Sequence, residues 1–149
     1  MPFHTDLAIV FEALGGRERE FDWLVTNLEC NWYPPELSPE REARFFDGET
    51  LSSLVRRQTQ RIQFIWAVLT GLDRGASLDL ASLPVLPYAD GHRGFWSGEP
   101  EIQYPGARVE LVCFDSSMTL LLTSDADLTA RFRATFPEAV DLAAYNRNR

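Results

Sequence analysis

Arg108-Val-Glu-Leu-Val-Cys-Phe-Asp-Ser-Ser-Met-Thr-Leu-Leu-Leu-Thr123 is the clearest stretch of the chain. Two apolar runs, Arg108 to Phe114 and Met118 to Thr123, flank Asp115-Ser116-Ser117, residue types that favour turns. The stretch therefore reads as a β-hairpin. Ser124 is placed to cap a following helix, with Asp127 as its capping-box partner. Leu128, Phe132 and Phe136 recur every four residues along that helix. Pro137 ends it, because the residue before a proline is driven out of the helical region. The tail from Asn146 to Arg149 is polar and is expected to fray.

Upstream, Ile62 to Leu69 is almost wholly apolar and rich in β-branched and aromatic residues. That composition favours a central strand covered on at least part of its second face. Glu49 to Thr59 has an apolar stripe of Leu51, Leu54 and Val55 and reads as an amphipathic helix preceded by Asp47. Arg56, Arg57 and Arg61 at its far end suit the helix dipole. Phe21 to Cys30 alternates as a strand, with Phe21, Trp23 and Val25 on one face. Its phase then changes, so that Leu28, Cys30 and Trp32 are expected on the other face, and a bulge near Thr26-Asn27 would account for this. Pro34-Pro35 stops it, and residues 34–47 look like a surface connection. Thr5 to Leu14 reads as a short helix capped by Thr5 and stopped at Gly15-Gly16, with a strand over Ala8 to Phe11 as the competing reading.

Residues 73–106 show no period. They carry four prolines and the turn-like pairs Asp90-Gly91 and Ser97-Gly98, and Gly94-Phe95-Trp96 is a candidate edge strand. The order is thus helix, strand, helix, strand, long segment, hairpin, helix. It predicts an α+β fold: one domain over residues 1–149, with an antiparallel sheet of about four to five strands and helices packed on one face.

Composition narrows function mainly by exclusion. The 149 residues hold 22 acidic side chains against 14 basic ones, for a formal charge of -8, and all the basic residues are Arg. An acidic chain is a poor match for nucleic acid, which selects a basic face. No run of about 18 apolar residues suggests a membrane span. The first charge is Asp6 and the first Arg is Arg17, unlike the basic front of a secretory signal, so a cytoplasmic location is expected. Cys30 and Cys113 are read as buried reduced thiols, with a disulfide between neighbouring strands as the alternative.

Catalytic signals are weak. No Gly-x-Ser-x-Gly elbow occurs, and a chain without Lys can form neither a Walker-type phosphate loop nor a Schiff base. His4 lies at the terminus. His92 sits in a glycine-flanked turn and reads as a solvated histidine. The carboxylate pair Glu99 and Glu101 would share a face in an extended segment, Asp125 and Asp127 suit a helix start, and Glu18 and Glu20 fit a charged turn. No catalytic residue, cofactor site or metal site is expected.

Surface recognition remains. Trp32-Tyr33, Phe95-Trp96 and Tyr104 lie in or beside irregular polar segments, where aromatics either close the core or anchor an interface. Around them stand acids with no helix-start role. Asp73, Asp79, Asp90, Trp96, Glu99, Glu101 and Tyr104 are therefore the candidate partner-binding residues, suited to a basic protein. In size, acidity, cytoplasmic character and lack of a catalytic motif, the whole chain resembles bacterial immunity proteins of polymorphic toxin systems. The resemblance implies a protein that occludes a toxin or other basic enzyme. One alternative is a small-ligand-binding or enzymatic domain with a pocket between the sheet and residues 73–106, lined by Trp66, Trp96 and Tyr104 with His92 or Glu99 as its polar group. Another is a self-associating domain whose C-terminal hairpin pairs with a second copy as a homodimer.

Overall fold

The computed structural model describes residues 5–57 and 62–148. It contains five strands, β1 (Phe21–Cys30), β2 (Ala43–Asp47), β3 (Phe64–Asp73), β4 (Val109–Phe114) and β5 (Met118–Thr123). They form a single antiparallel sheet in the order β2-β1-β3-β4-β5. Among the described residues there are four α-helices, α1 (Leu7–Ala13), α2 (Gly48–Arg57), α3 (Ala126–Thr135) and α4 (Leu142–Arg147). The fold is α+β.

Alternation along the central strands assigns the two faces. Trp23 and Val25 of β1, Ala67 and Leu69 of β3, and Leu111 and Cys113 of β4 point to one side. There they meet Leu7, Val10 and Phe11 of α1, Leu51, Leu54 and Val55 of α2, and Leu128 of α3. The stripe expected on α2 is therefore the one buried. Gly71 of β3 lies beneath Trp23: a Cβ there would sit 3.2 Å from its ring and 2.4 Å from Val109 Cγ1.

The opposite face is also covered, by an irregular chain. Val68, Val112 and Leu122 pack against Ala89 and Phe95, while Leu24 and Leu72 pack against Tyr104. Residues 73–106 form this second layer, with short 3-10 turns at Leu80–Ser82 and Arg93–Trp96. Gly94-Phe95-Trp96 is thus a 3-10 turn and not an edge strand. The bulge expected near Thr26-Asn27 is present: the register slips between Thr26 and Glu29, and Asn27 has φ 51°. Its extra residue returns Leu28, Cys30 and Trp32 to the side of Trp23 and Val25, not to the other face as expected. The bulge aims the Asn27 carboxamide at the cover, where Oδ1 accepts from Ala89 N at 2.7 Å and Asp90 N at 3.0 Å. Beside it, Thr26 Oγ1 donates to Pro87 O at 2.6 Å. The cover thus meets its hydrogen-bond requirement largely through side chains distant in sequence.

Several local expectations need correction. Residues 34–47 are not only a connection, because Ala43–Asp47 pairs with β1 as an edge strand. Its pattern was hidden by Arg44, a buried charge where alternation demands an apolar residue. Asp6, not Thr5, caps α1, its Oδ1 accepting from Ala8 N at 3.0 Å. Asp125, not Ser124, caps α3, accepting from Asp127 N and Leu128 N. Asn146 and Arg147, expected to fray, form the end of α4, which Asp141 caps. The central strand runs on to Asp73. The expected end of α2 at Thr59, and Arg61, His4 and Arg149, lie outside the described residues.

Ion pairs tie the layers together. The Arg17 guanidinium holds both oxygens of Asp125 at 2.9 and 3.0 Å, and also reaches Glu20 and Asp127. That bidentate bond draws the Asp125 carboxyl down to about 2. Glu18 is no ordinary turn residue: it is fully buried, and Oε2 accepts from Ser52 Oγ at 2.7 Å and from Arg56 at 3.0 Å. Arg57 pairs with Glu36. Arg56 and Arg57 therefore have partners beyond the helix end. Both cysteines are free and buried. Burial pushes the Cys30 thiol up to about 12 and raises Cys113 as well.

Candidate binding groove

The sheet has two edges, and they differ. β2 is short and carries Arg44 and Asp47. β5 is Met-Thr-Leu-Leu-Leu-Thr, without a charge or a proline, and its register against β4 is unbroken. Charges, prolines and bulges are the usual devices that close a sheet edge to further pairing, and β5 has none of them.

The C-terminal segment frames this edge. α3 buries Leu128 on the helical side of the sheet, whereas α4 lies against the 3-10 turn Arg93–Trp96 on the other side. Residues 136–141 must therefore cross from one side to the other past β5. They leave a groove of about 960 Å³ along the whole strand. Asn146 fixes the α4 wall by donating from Nδ2 to Phe95 O at 3.0 Å and Gly98 O at 3.1 Å. An aromatic row leads from the sheet to the same wall. Trp66 and Phe114 are 4.8 Å apart, Phe114 and Trp96 5.1 Å, and Trp96 and Tyr145 6.2 Å, all edge-to-face.

The groove joins exposed apolar side chains to an acidic rim. Val140 is 72% exposed, Tyr145 48% and Met118 38%. Its ionised residues are Glu99, Glu101, Glu138 and Asp141 against Arg133 and Arg147, so four negative charges face two positive ones.

Three of the seven residues singled out from sequence, Trp96, Glu99 and Glu101, line this groove, and the other four do not. Asp73 pairs with Arg108 at 2.9 Å. Asp79 precedes the 3-10 turn at Leu80, its N–H donating to the Tyr104 hydroxyl at 2.9 Å. The Asp90 N–H is held by Asn27. Tyr104 is buried and closes the core. Sequence reasoning missed Glu138, Val140, Asp141 and Tyr145 because it assigned no element between Pro137 and the tail that begins at Asn146. The one available signal was Asp141, whose Oδ2 accepts from Ala144 N at 3.1 Å as a helix cap.

The alternative pocket residues are scattered. Trp66, His92 and Tyr104 do not line the groove, and the space between the central sheet and the cover is filled by Ala89, Phe95 and Tyr104. His92 is not a solvated turn residue. Its ring lies 4.9 Å from Tyr88 and 4.4 Å from Phe95, and burial lowers its pKa. No group of three or more His, Cys, Asp or Glu side chains among the described residues is placed to hold a metal ion. No helix among them is long and apolar enough to cross a membrane. Comparison with models of protein families, with curated proteins and with solved structures finds no match for the chain.

Proposed function

We propose that the protein is a small acidic cytoplasmic binding protein that occludes a basic protein partner, as bacterial immunity proteins occlude toxins. The observation that carries this reading is the groove along β5. It combines exposed Val140, Tyr145 and Met118 with an excess of acidic over basic side chains on its rim. Aromatic and apolar anchors supply contact area, and the acids steer a cationic partner toward them. No catalytic step is needed for such a role, only a rigid scaffold that presents the groove. The paired caps, the Arg17 cluster and the double-sided core provide that rigidity.

The test compares immobilised wild-type protein with a Glu99→Arg/Glu101→Arg variant, each exposed to a lysate of the source organism. A basic protein retained by the wild type is then purified and its association rate measured at low and high salt. The expected result is an association rate about tenfold lower for the variant at low salt, with the difference shrinking as salt rises. Equal rates for the two proteins, or retention of acidic proteins only, would refute the reading.

A further inference from the structure

We propose that the Glu110 carboxyl is a proton-operated latch: its ionisation frees residues 99–103, which bring Glu99 and Glu101 to the groove rim, from the sheet. The device rests on the packing around Glu110 and holds whatever the groove binds.

Residues 99–103 form an arm between two points of the cover that are fixed by other means. At one end, Gly98 O accepts from Asn146 Nδ2 at 3.1 Å. At the other, Tyr104 is buried, and its hydroxyl accepts from Asp79 N at 2.9 Å. Glu99, Pro100, Glu101 and Ile102 line the groove. Among the described residues, every hydrogen bond of the arm is made by Gln103. Its backbone N–H donates to Glu110 Oε1 at 3.0 Å. Its carboxamide clasps Tyr88, Oε1 accepting from the Tyr88 N–H and Nε2 donating to Tyr88 O, both at 3.0 Å. Among these bonds, the one to Glu110 alone ties the arm to the sheet, and Gln103 extends that tie to Tyr88. Ile102 adds an apolar contact with the layer of Val68, Val112 and Leu122.

The surroundings of Glu110 suit a neutral acid. It lies between Thr70 of β3 and Leu122 of β5, fully buried. Oε2 and Thr70 Oγ1 both lack a hydrogen-bond partner. A carboxylate there would be held by a single N–H, whereas a buried charge needs several donors or a cation. No cation is supplied. Arg108, two residues earlier in the chain, pairs with Asp73 of β3. β5 carries no titratable side chain. The other charged residues of the cover, Arg74, Asp79, Asp90, Arg93, Glu99 and Glu101, are all exposed. Tyr88 and Tyr104 are phenols and bring no positive charge, and burial lowers the pKa of His92. Burial accordingly pushes the Glu110 carboxyl up to about 7. Lifting the arm hydrates the carboxyl and returns it toward its ordinary 4.5. Opening therefore becomes easier as pH rises between these two values and levels off above the higher one.

The test follows amide hydrogen exchange of isotope-labelled full-length protein by NMR from about pH 5 to about pH 8, corrected for the intrinsic rise of exchange with pH. The opening constants of the Gln103 and Tyr88 amides should increase about tenfold or more over that range. They should also exceed those of the β3–β4 ladder at every pH, as a local opening requires. In Glu110→Gln, which cannot ionise, the increase should vanish. The Glu110 carboxyl carbon resonance gives a measurement that needs no variant, with an expected midpoint of about 7 in place of 4.5. Opening constants that do not rise, an equal rise in the variant, exchange of both amides only at the rate of the ladder, or a carboxyl midpoint near 4.5 would each overturn the latch.

Discussion

Glu110 offers the sharpest test of the second layer. It lies in the middle of β4, opposite Thr70 on β3 and Leu122 on β5, on the face covered by residues 73–106. Its side chain is fully buried. Oε1 accepts from Gln103 N at 3.0 Å, while Oε2 has no partner and neither does Thr70 Oγ1 across the strand. Burial penalises the carboxylate and outweighs the Gln103 bond, which favours it, so the carboxyl is pushed from 4.5 to about 7. Between those values the unfolded chain loses this proton and the folded chain keeps it. Stability therefore falls as pH rises through this window and levels off above it. A displacement of that size corresponds to ~3 kcal/mol.

The perturbation is Glu110→Gln, which matches the neutral acid in shape and keeps an oxygen for Gln103. Urea unfolding followed by tryptophan fluorescence, at pH values from about 4 to 8, gives the stability of both proteins. Other titrations are shared and cancel in the difference. The variant should gain ~3 kcal/mol on the wild type between the acid and alkaline ends. A difference that stays flat within about 0.5 kcal/mol, or that changes in the opposite direction, would show that Glu110 is solvated and that the cover does not seal this face.

Three further outcomes are expected. Gly48→Ala should destabilise by ~1–3 kcal/mol in spite of alanine's better helix propensity, because its Cβ would meet Phe21 O at 2.5 Å and Glu18 O at 2.6 Å; a raised melting temperature would contradict this. Asn27→Ala should remove hydrogen-exchange protection from the Ala89 and Asp90 amides and leave that of the β4–β5 ladder intact; unchanged protection at both amides would mean that the bulge does not hold the cover. Asp125→Asn should lower the melting temperature at neutral pH. Because the folded carboxyl is depressed from 3.8 to about 2, the stabilisation exists above the higher value and is lost as pH falls through the lower one, so the deficit of the variant should close toward pH 2. A deficit independent of pH would assign the effect to capping alone.

What was legible in the sequence was whatever repeats at the period of its element. The β4–β5 hairpin announces itself through two apolar runs and a turn whose Asp115 and Ser116 adopt φ 49° and 59°, a conformation that small polar residues tolerate better than bulky ones. The change of phase in β1 located the bulge, because a single extra residue switches every later side chain to the other face. β2 was not legible. Arg44 occupies its buried position and donates to Ser38 O, so a charge stands where the pattern requires an apolar residue. The cover was not legible for a different reason. It meets the sheet through isolated residues such as Ala89, Phe95 and Tyr104, and no period connects them.

The same distinction explains why only part of the acidic surface could be located in advance. Charge is a property of the whole chain, but its use depends on where the nearest cation falls. Asp73 has Arg108 beside it, and Asp125 and Asp127 share Arg17. Glu99 and Glu101 stand in the rim of the groove, where four carboxylates outnumber two guanidinium groups. What brings those carboxylates together is the path of the C-terminal chain from α3 around β5 to α4, a tertiary event with no local signature beyond the Asp141 cap. An edge strand with no charge or proline of its own is a liability in an isolated sheet. Here the crossing chain turns that edge into the floor of an acidic groove, and the Asn146 bonds to Phe95 and Gly98 hold the second wall in place.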